Sequence, residues 1–139
     1  MNTFSRLTVS TTIQAPLRKV WTVLTQPEHI IHWNYADESW HTPTAQNDLR
    51  VGGKFSYRFE AKDKSFGFDF AGIYTAVTPL SSFEYDLGDG RHVVVSLEET
   101  PQGILVSEHF DAEKVNSHDR QIQGWQAIMD HLKTYTESL

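Results

Sequence analysis

Apolar and polar residues alternate with a period of two along most of this chain, and the spacing turns helical near each end. Leu7, Val9, Thr11 and Ile13 point one way while Thr8, Ser10 and Thr12 point the other, which predicts a half-buried, β-branched strand. Pro16 then opens a helix, where its missing N–H does no harm. Leu17, Val20, Trp21 and Leu24 fall at i, i+3, i+4 and i+7 and give that helix one buried face. Pro27 restarts the chain as a short second helix through Ile30 and Ile31, ending near Trp33. From Trp40 to about Leu49 the pattern predicts an extended but irregular segment, with Pro43 restricting it to an edge or a bulge.

Five clearer strand patterns follow. Phe55, Tyr57 and Phe59 share a face, opposite Lys54, Ser56, Arg58 and Glu60. Phe66, Phe68, Phe70, Gly72 and Tyr74 line one face of the next, with Asp69, Ile73 and Thr75 opposite. After Pro79, Phe83, Tyr85 and Leu87 alternate with Glu84 and Asp86. Gly88-Asp89-Gly90 is a hairpin signal, because glycine reaches positive φ without steric cost. Val93, Val95 and Leu97 continue the alternation, and Pro101-Gln102-Gly103 turns the chain into Ile104, Val106, Glu108 and Phe110. Residues Asn116 to Leu139 then carry Ile122, Trp125, Ile128, Met129, Leu132 and Tyr135 at helical spacing. Gly124 interrupts that stripe, where glycine costs roughly 1 kcal/mol relative to alanine. Its place beside Trp125 suggests a helix pressed closely onto something.

The order is strand, helix pair, strand meander, long helix. Short hairpins make the sheet antiparallel, and one apolar face per strand means a cover on one side. The expected fold is α+β: a curved antiparallel sheet of six to seven strands wrapped around the C-terminal helix. Residues 1–139 read as a single domain without linker or repeat.

These residues carry a family resemblance. Ala15-Pro16 opening a helix with Val20-Trp21, and Pro27-Glu28-His29-Ile30 running into Trp33, resemble the START/Bet v 1-like (SRPBCC) superfamily. Gly52-Gly53-Lys54-Phe55, Gly72-Ile73-Tyr74 with Pro79, Asp89-Gly90-Arg91 and Gln123-Gly124-Trp125 with Leu132 match, in order, its branch related to the C-terminal domain of the activator of Hsp90 ATPase. The resemblance covers about residue 8 to residue 137. It implies a helix-grip fold with a cavity between sheet and long helix. Members of the wider superfamily carry lipids, sterols, polyketides or plant hormones; a few catalyse cyclisation, and others act on a chaperone.

Composition narrows the partners. A net charge of −6 disfavours nucleic acid and anionic membrane, which need clustered Lys and Arg. The chain has no cysteine, so disulfides and thiolate chemistry are excluded. No apolar run approaches the ~20 residues of a membrane span and no signal-peptide core is evident, so a cytoplasmic protein without membrane insertion is expected. Aromatic residues reach 12%, more flat apolar surface than a small core needs. Monomer and homodimer are both compatible with the pattern.

The aromatic faces are therefore the leading candidates for chemistry. Phe55, Tyr57 and Phe59, then Phe66, Phe68, Phe70 and Tyr74, then Tyr85 and Phe110 are expected to look towards Trp125 and Met129, with Trp33 and Val95 beside them. A packed core would use such residues, and so would a pocket for a small apolar or amphipathic molecule. Tyrosine hydroxyls favour the pocket slightly, because each needs a partner when buried. Glu108 shares the face of Ile104, Val106 and Phe110, so alternation points it inward, where a carboxylate is costly unless paired or protonated. The commoner outcome is a twist or bulge that leaves such a residue at a wet rim.

Other chemistry has less support. His29 and His32 are three apart, with His41 further on, but no acidic residue completes a familiar metal set, and surface histidines are expected. There is no Gly-x-Ser-x-Gly elbow and no phosphate loop, since Gly52-Gly53 precedes a strand. No catalytic residue and no cofactor is expected. The leading expectation is a small-molecule binding protein. The alternatives are a chaperone-interacting protein, or a cyclase- or hydratase-type enzyme using Glu108, a tyrosine or His32.

Overall fold

Each strand after the helix pair returns antiparallel to its predecessor, because short turns leave it no other path. The computed structural model describes residues 4–139. Its elements are β1 (Arg6–Ile13), α1 (Leu17–Thr25), α2 (Pro27–Trp33), β2 (Trp40–Asn47), β3 (Lys54–Ala61), β4 (Gly67–Thr78), β5 (Ser82–Leu87), β6 (His92–Thr100), β7 (Gly103–Asp111) and α3 (His118–Ser138). The seven strands form one curved antiparallel sheet in the order β1-β7-β6-β5-β4-β3-β2. Only the β1–β7 pairing joins strands distant in sequence, and it runs unbroken from Arg6↔Asp111 to Ile13↔Ile104. β1 and β2 therefore occupy opposite edges, so the α1–α2 connection must cross the sheet.

The apolar positions meet in one core. Val9, Ile13, Val93, Val95, Val106 and Phe110 rise from the sheet, Val20, Val23, Leu24, Ile30 and Trp33 from α1 and α2, and Met129 and Leu132 from α3. The C-terminal helix was expected to be the sole cover of the sheet, but α1 and α2 pack into the same core. Trp21 packs edge-on against Phe83 at 6.0 Å, and Trp33 Nε1 donates to the Val23 carbonyl at 2.9 Å, joining α2 to α1.

α3 is fixed along the β1 edge by polar contacts. Gln126 Nε2 donates to Ser10 O at 2.9 Å, Lys133 Nζ to Thr12 O at 2.6 Å, and Gln14 N to a Glu137 carboxylate oxygen at 2.8 Å. The helix starts at His118, slightly later than the pattern suggests, with Ser117 Oγ accepting from Arg120 N at 3.1 Å as its N-cap. Buried Gln121 holds the preceding loop by donating to the carbonyls of Glu113 and Asn116.

Two bulges alter the simple alternation. The irregularity between His41 and Thr44 brackets Pro43 on the edge strand, as a residue without an N–H requires. In β4 the register shifts between Tyr74 and Ala76, so Val77 rather than Ala76 comes opposite Phe83 and joins the core. The expectation for Phe66 fails. It lies ahead of β4 and is 62% exposed, resting on Trp40 and Phe68 at ring distances of 6.0 and 6.2 Å.

Candidate functional site

Between the sheet and the helices lies a pocket of about 380 Å³. Its walls come from Leu24 of α1, Trp33 of α2, Asn34 and Ala36 just after it, aromatic residues of β3, β4 and β5, Val95 of β6, Glu108 of β7, Arg91 before β6, and Gly124, Trp125 and Ile128 of α3. That volume is at the lower end of the roughly 300–1,000 Å³ typical of small-molecule sites.

 Ala36 and Phe68, both exposed, mark its mouth.

The structure brings nine of the twelve expected residues onto this pocket: Trp33, Tyr57, Phe59, Phe68, Phe70, Tyr85, Val95, Glu108 and Trp125. The other three pack behind it. Tyr74, Phe110 and Met129 are almost wholly buried, and Trp125 stacks flat on Phe110 with ring centres 3.9 Å apart. Phe70 meets the edge of Trp125 at 6.3 Å, and Phe55 joins Tyr85 at 4.7 Å. Gly124 also faces the pocket, but not for the reason its position suggested. A Cβ built there meets nothing within 4 Å, so the glycine leaves open space rather than admitting a close approach.

Glu108 departs from the wet-rim expectation. β7 pairs in register on both sides without a bulge, setting Glu108 between Val9 of β1 and Val95 of β6. Its strand neighbours on the same face, Val106 and Phe110, are fully buried. Glu108 itself is 9% exposed, and burial alone pushes its carboxyl up to about 7. No donor among the described residues pairs with this carboxyl, and it borders the open space of the pocket.

The neighbouring phenols respond to the same setting. Desolvation, then the charge of Glu108, raises Tyr85 well above the usual value. Desolvation also raises Tyr57, and Tyr74, whose hydroxyl donates to Asn47 Oδ1 at 2.5 Å, is pushed up to about 12. Arg91 sits between the hairpin turn and the first residue of β6. It lines the pocket while its Nε donates to Asp89 at 2.8 Å. Hairpin geometry brings it there, with Leu87 N donating to Arg91 O and Gly90 at a φ of 92°.

The histidines assemble elsewhere. His29 Nδ1 lies 2.8 Å from the Tyr135 hydroxyl, His32 stacks on the same ring, and neither lines the pocket. Among the described residues no group of three or more His, Asp or Glu is arranged to hold a metal ion. No helix among them is long and apolar enough to cross a membrane.

With this geometry in place, comparison with known proteins is direct. Residues 14–137 match the family model described as activator of Hsp90 ATPase homolog 1-like protein. The chain belongs to this AHSA1-like family. The solution structure of an AHSA1-like protein from Aeromonas hydrophila is similar at 37% identity, with 96% of this chain and 93% of that chain covered and a TM-score of 0.90. A protein from Cytophaga hutchinsonii is 42% identical over 96% of this chain and 92% of that chain, with a TM-score of 0.83. A Nitrosomonas europaea protein shares the fold at 18% identity, with 96% and 94% coverage and a TM-score of 0.81. No curated protein matches the chain. The AHSA1-like fold is consistent with ligand-binding members of the wider superfamily and with activators of the chaperone ATPase.

Proposed function

We propose that this AHSA1-like protein binds a small, largely apolar molecule in the pocket between sheet and helices. The observation that carries the reading is the pocket of about 380 Å³, walled by aromatic rings yet holding the polar groups of Glu108, Arg91 and Asn34. Apolar walls provide affinity, and a few convergent polar groups provide orientation. The open space at Gly124 supports the same reading, because a mid-helix glycine with nothing to accommodate is otherwise only a cost. Nothing in this role requires a catalytic residue.

The test is thermal shift and tryptophan fluorescence against a panel of fatty acids, flavonoids, sterols and aromatic amines. Trp33 and Trp125 line the pocket, so a ligand held there should change the emission. A ligand at about one hundred times its Kd stabilises by roughly 2.7 kcal/mol. Gly124→Leu should fill the open space and remove the response while the fold persists. If that variant binds every responding compound as tightly as the parent, the ligands sit elsewhere and the reading falls.

A second reading draws on exposed Phe66 and Phe68, which rest on half-buried Trp40 at 6.0 Å each. Such a patch suits a protein partner, and the family description names the Hsp90 ATPase. Phe66→Ser should weaken chaperone binding without changing small-molecule binding. Unchanged chaperone affinity would remove this reading.

A further inference from the structure

Glu108 lines the pocket, and no donor among the described residues pairs with its carboxyl. Glu108 is 9% exposed, and its lateral neighbours in the sheet are Val9 and Val95. Its neighbours along the strand face are Val106 and Phe110, both fully buried. None of these four side chains can donate a hydrogen bond. A buried carboxylate is costly unless paired, and here a partner can come only from the pocket. The charged and titratable groups near it are few. Tyr57 and Tyr85 stand on β3 and β5, and Arg91 precedes β6 with Asp89 already held at 2.8 Å. α3 presents only Gly124, Trp125 and Ile128 to this space. With Arg91 balanced by Asp89, the unbalanced charge inside the pocket is that of Glu108.

Negative charge surrounded by aromatic rings is the chemistry that holds an organic cation. The carboxylate accepts from an ammonium, and Trp and Tyr rings attract the same positive charge through their quadrupoles. A carboxylate ligand would face the opposite situation, two like charges in a desolvated space. We propose that the pocket selects protonated organic amines with a flat apolar body, the ammonium donating to Glu108 among Tyr57, Tyr85 and Trp125. This inference rests on the small-molecule reading above and gives that reading a ligand class.

Three probes with one body separate the two ideas: para-phenylbenzylamine, para-phenylbenzyl alcohol and para-phenylbenzoate, titrated calorimetrically into the intact protein. At about pH 8 the amine should bind roughly tenfold or more tightly than the alcohol, as a charge-assisted hydrogen bond implies, and the benzoate most weakly. Glu108→Gln should erase the preference for the amine while the alcohol binds as before, which also shows that the variant is folded. The preference should shrink as pH falls towards about 5, because a protonated Glu108 cannot pair with an ammonium. If the alcohol or the benzoate binds as well as the amine, or if Glu108→Gln keeps the preference, the amine assignment is wrong and the pocket reading survives. If none of the three binds and the wider panel also fails, both are overturned.

Discussion

Glu108→Gln should make the protein more stable at alkaline pH and leave its stability nearly unchanged in acid. Burial raises the folded carboxyl from 4.5 to about 7, so the folded state binds the proton more tightly than the unfolded chain does. The stability linked to that proton is fully present below about pH 4.5 and declines as pH rises to about 7, after which it levels off. Each pKa unit corresponds to about 1.4 kcal/mol, so the full window spans about 3 kcal/mol. Glutamine has nearly the same shape and never ionises, so it escapes this loss. Urea unfolding followed by circular dichroism, from about pH 4.5 to about pH 8, gives the difference between parent and variant directly. Other groups also titrate with folding, among them His92, which is raised against Asp86 and Glu84, and Glu113, which is lowered by backbone donors. They are common to both proteins and cancel in the difference. The expected curve rises by about 3 kcal/mol in favour of the variant, equivalent to roughly 10 °C in Tm for a domain of this size. A difference that stays flat within about 0.5 kcal/mol would mean that Glu108 is solvated in the folded state, and the account of its surroundings would be wrong.

Further outcomes follow from the same geometry. Gly124→Ala should stabilise by roughly 0.5–1 kcal/mol in thermal unfolding, because alanine favours the helix and its Cβ meets nothing within 4 Å; a loss of stability would mean that the space is not open. Gly72→Ala should destabilise by more than about 1 kcal/mol, since its Cβ would lie 2.8 Å from both Asp86 O and the Phe55 ring; a neutral result would refute that packing. Trp125→Ala should cost roughly 3 kcal/mol or more through loss of the stack on Phe110 at 3.9 Å, read by denaturant midpoint. Phe66→Ser should stay within about 0.5 kcal/mol of the parent, because the ring is 62% exposed.

The sequence by itself determined the elements, their antiparallel order and the inward faces, because periods of two and 3.6 are local properties of the backbone. β7 is the clearest instance: Ile104, Val106, Glu108 and Phe110 alternate in the sequence and are all buried in the fold. The tertiary structure decided which inward residues fill the core and which border open space. Phe110 and Trp125 were expected side by side, yet one is buried and the other lines the pocket. Alternation specifies a direction, whereas burial depends on what stands opposite, and the α1–α2 crossing that places Leu24 and Trp33 there follows from β1 and β2 lying at opposite edges. Phe66 escaped because it sits ahead of the first residue of β4, outside the ladder that would enforce its phase. Arg91 and Gly124 escaped for the converse reason. A hairpin residue and a helix glycine have local explanations complete in themselves, and only the packed sheet and helices show that both face one space. Glu108 depended on both levels: the alternation points it inward, and the valines paired beside it leave its partner to come from the pocket.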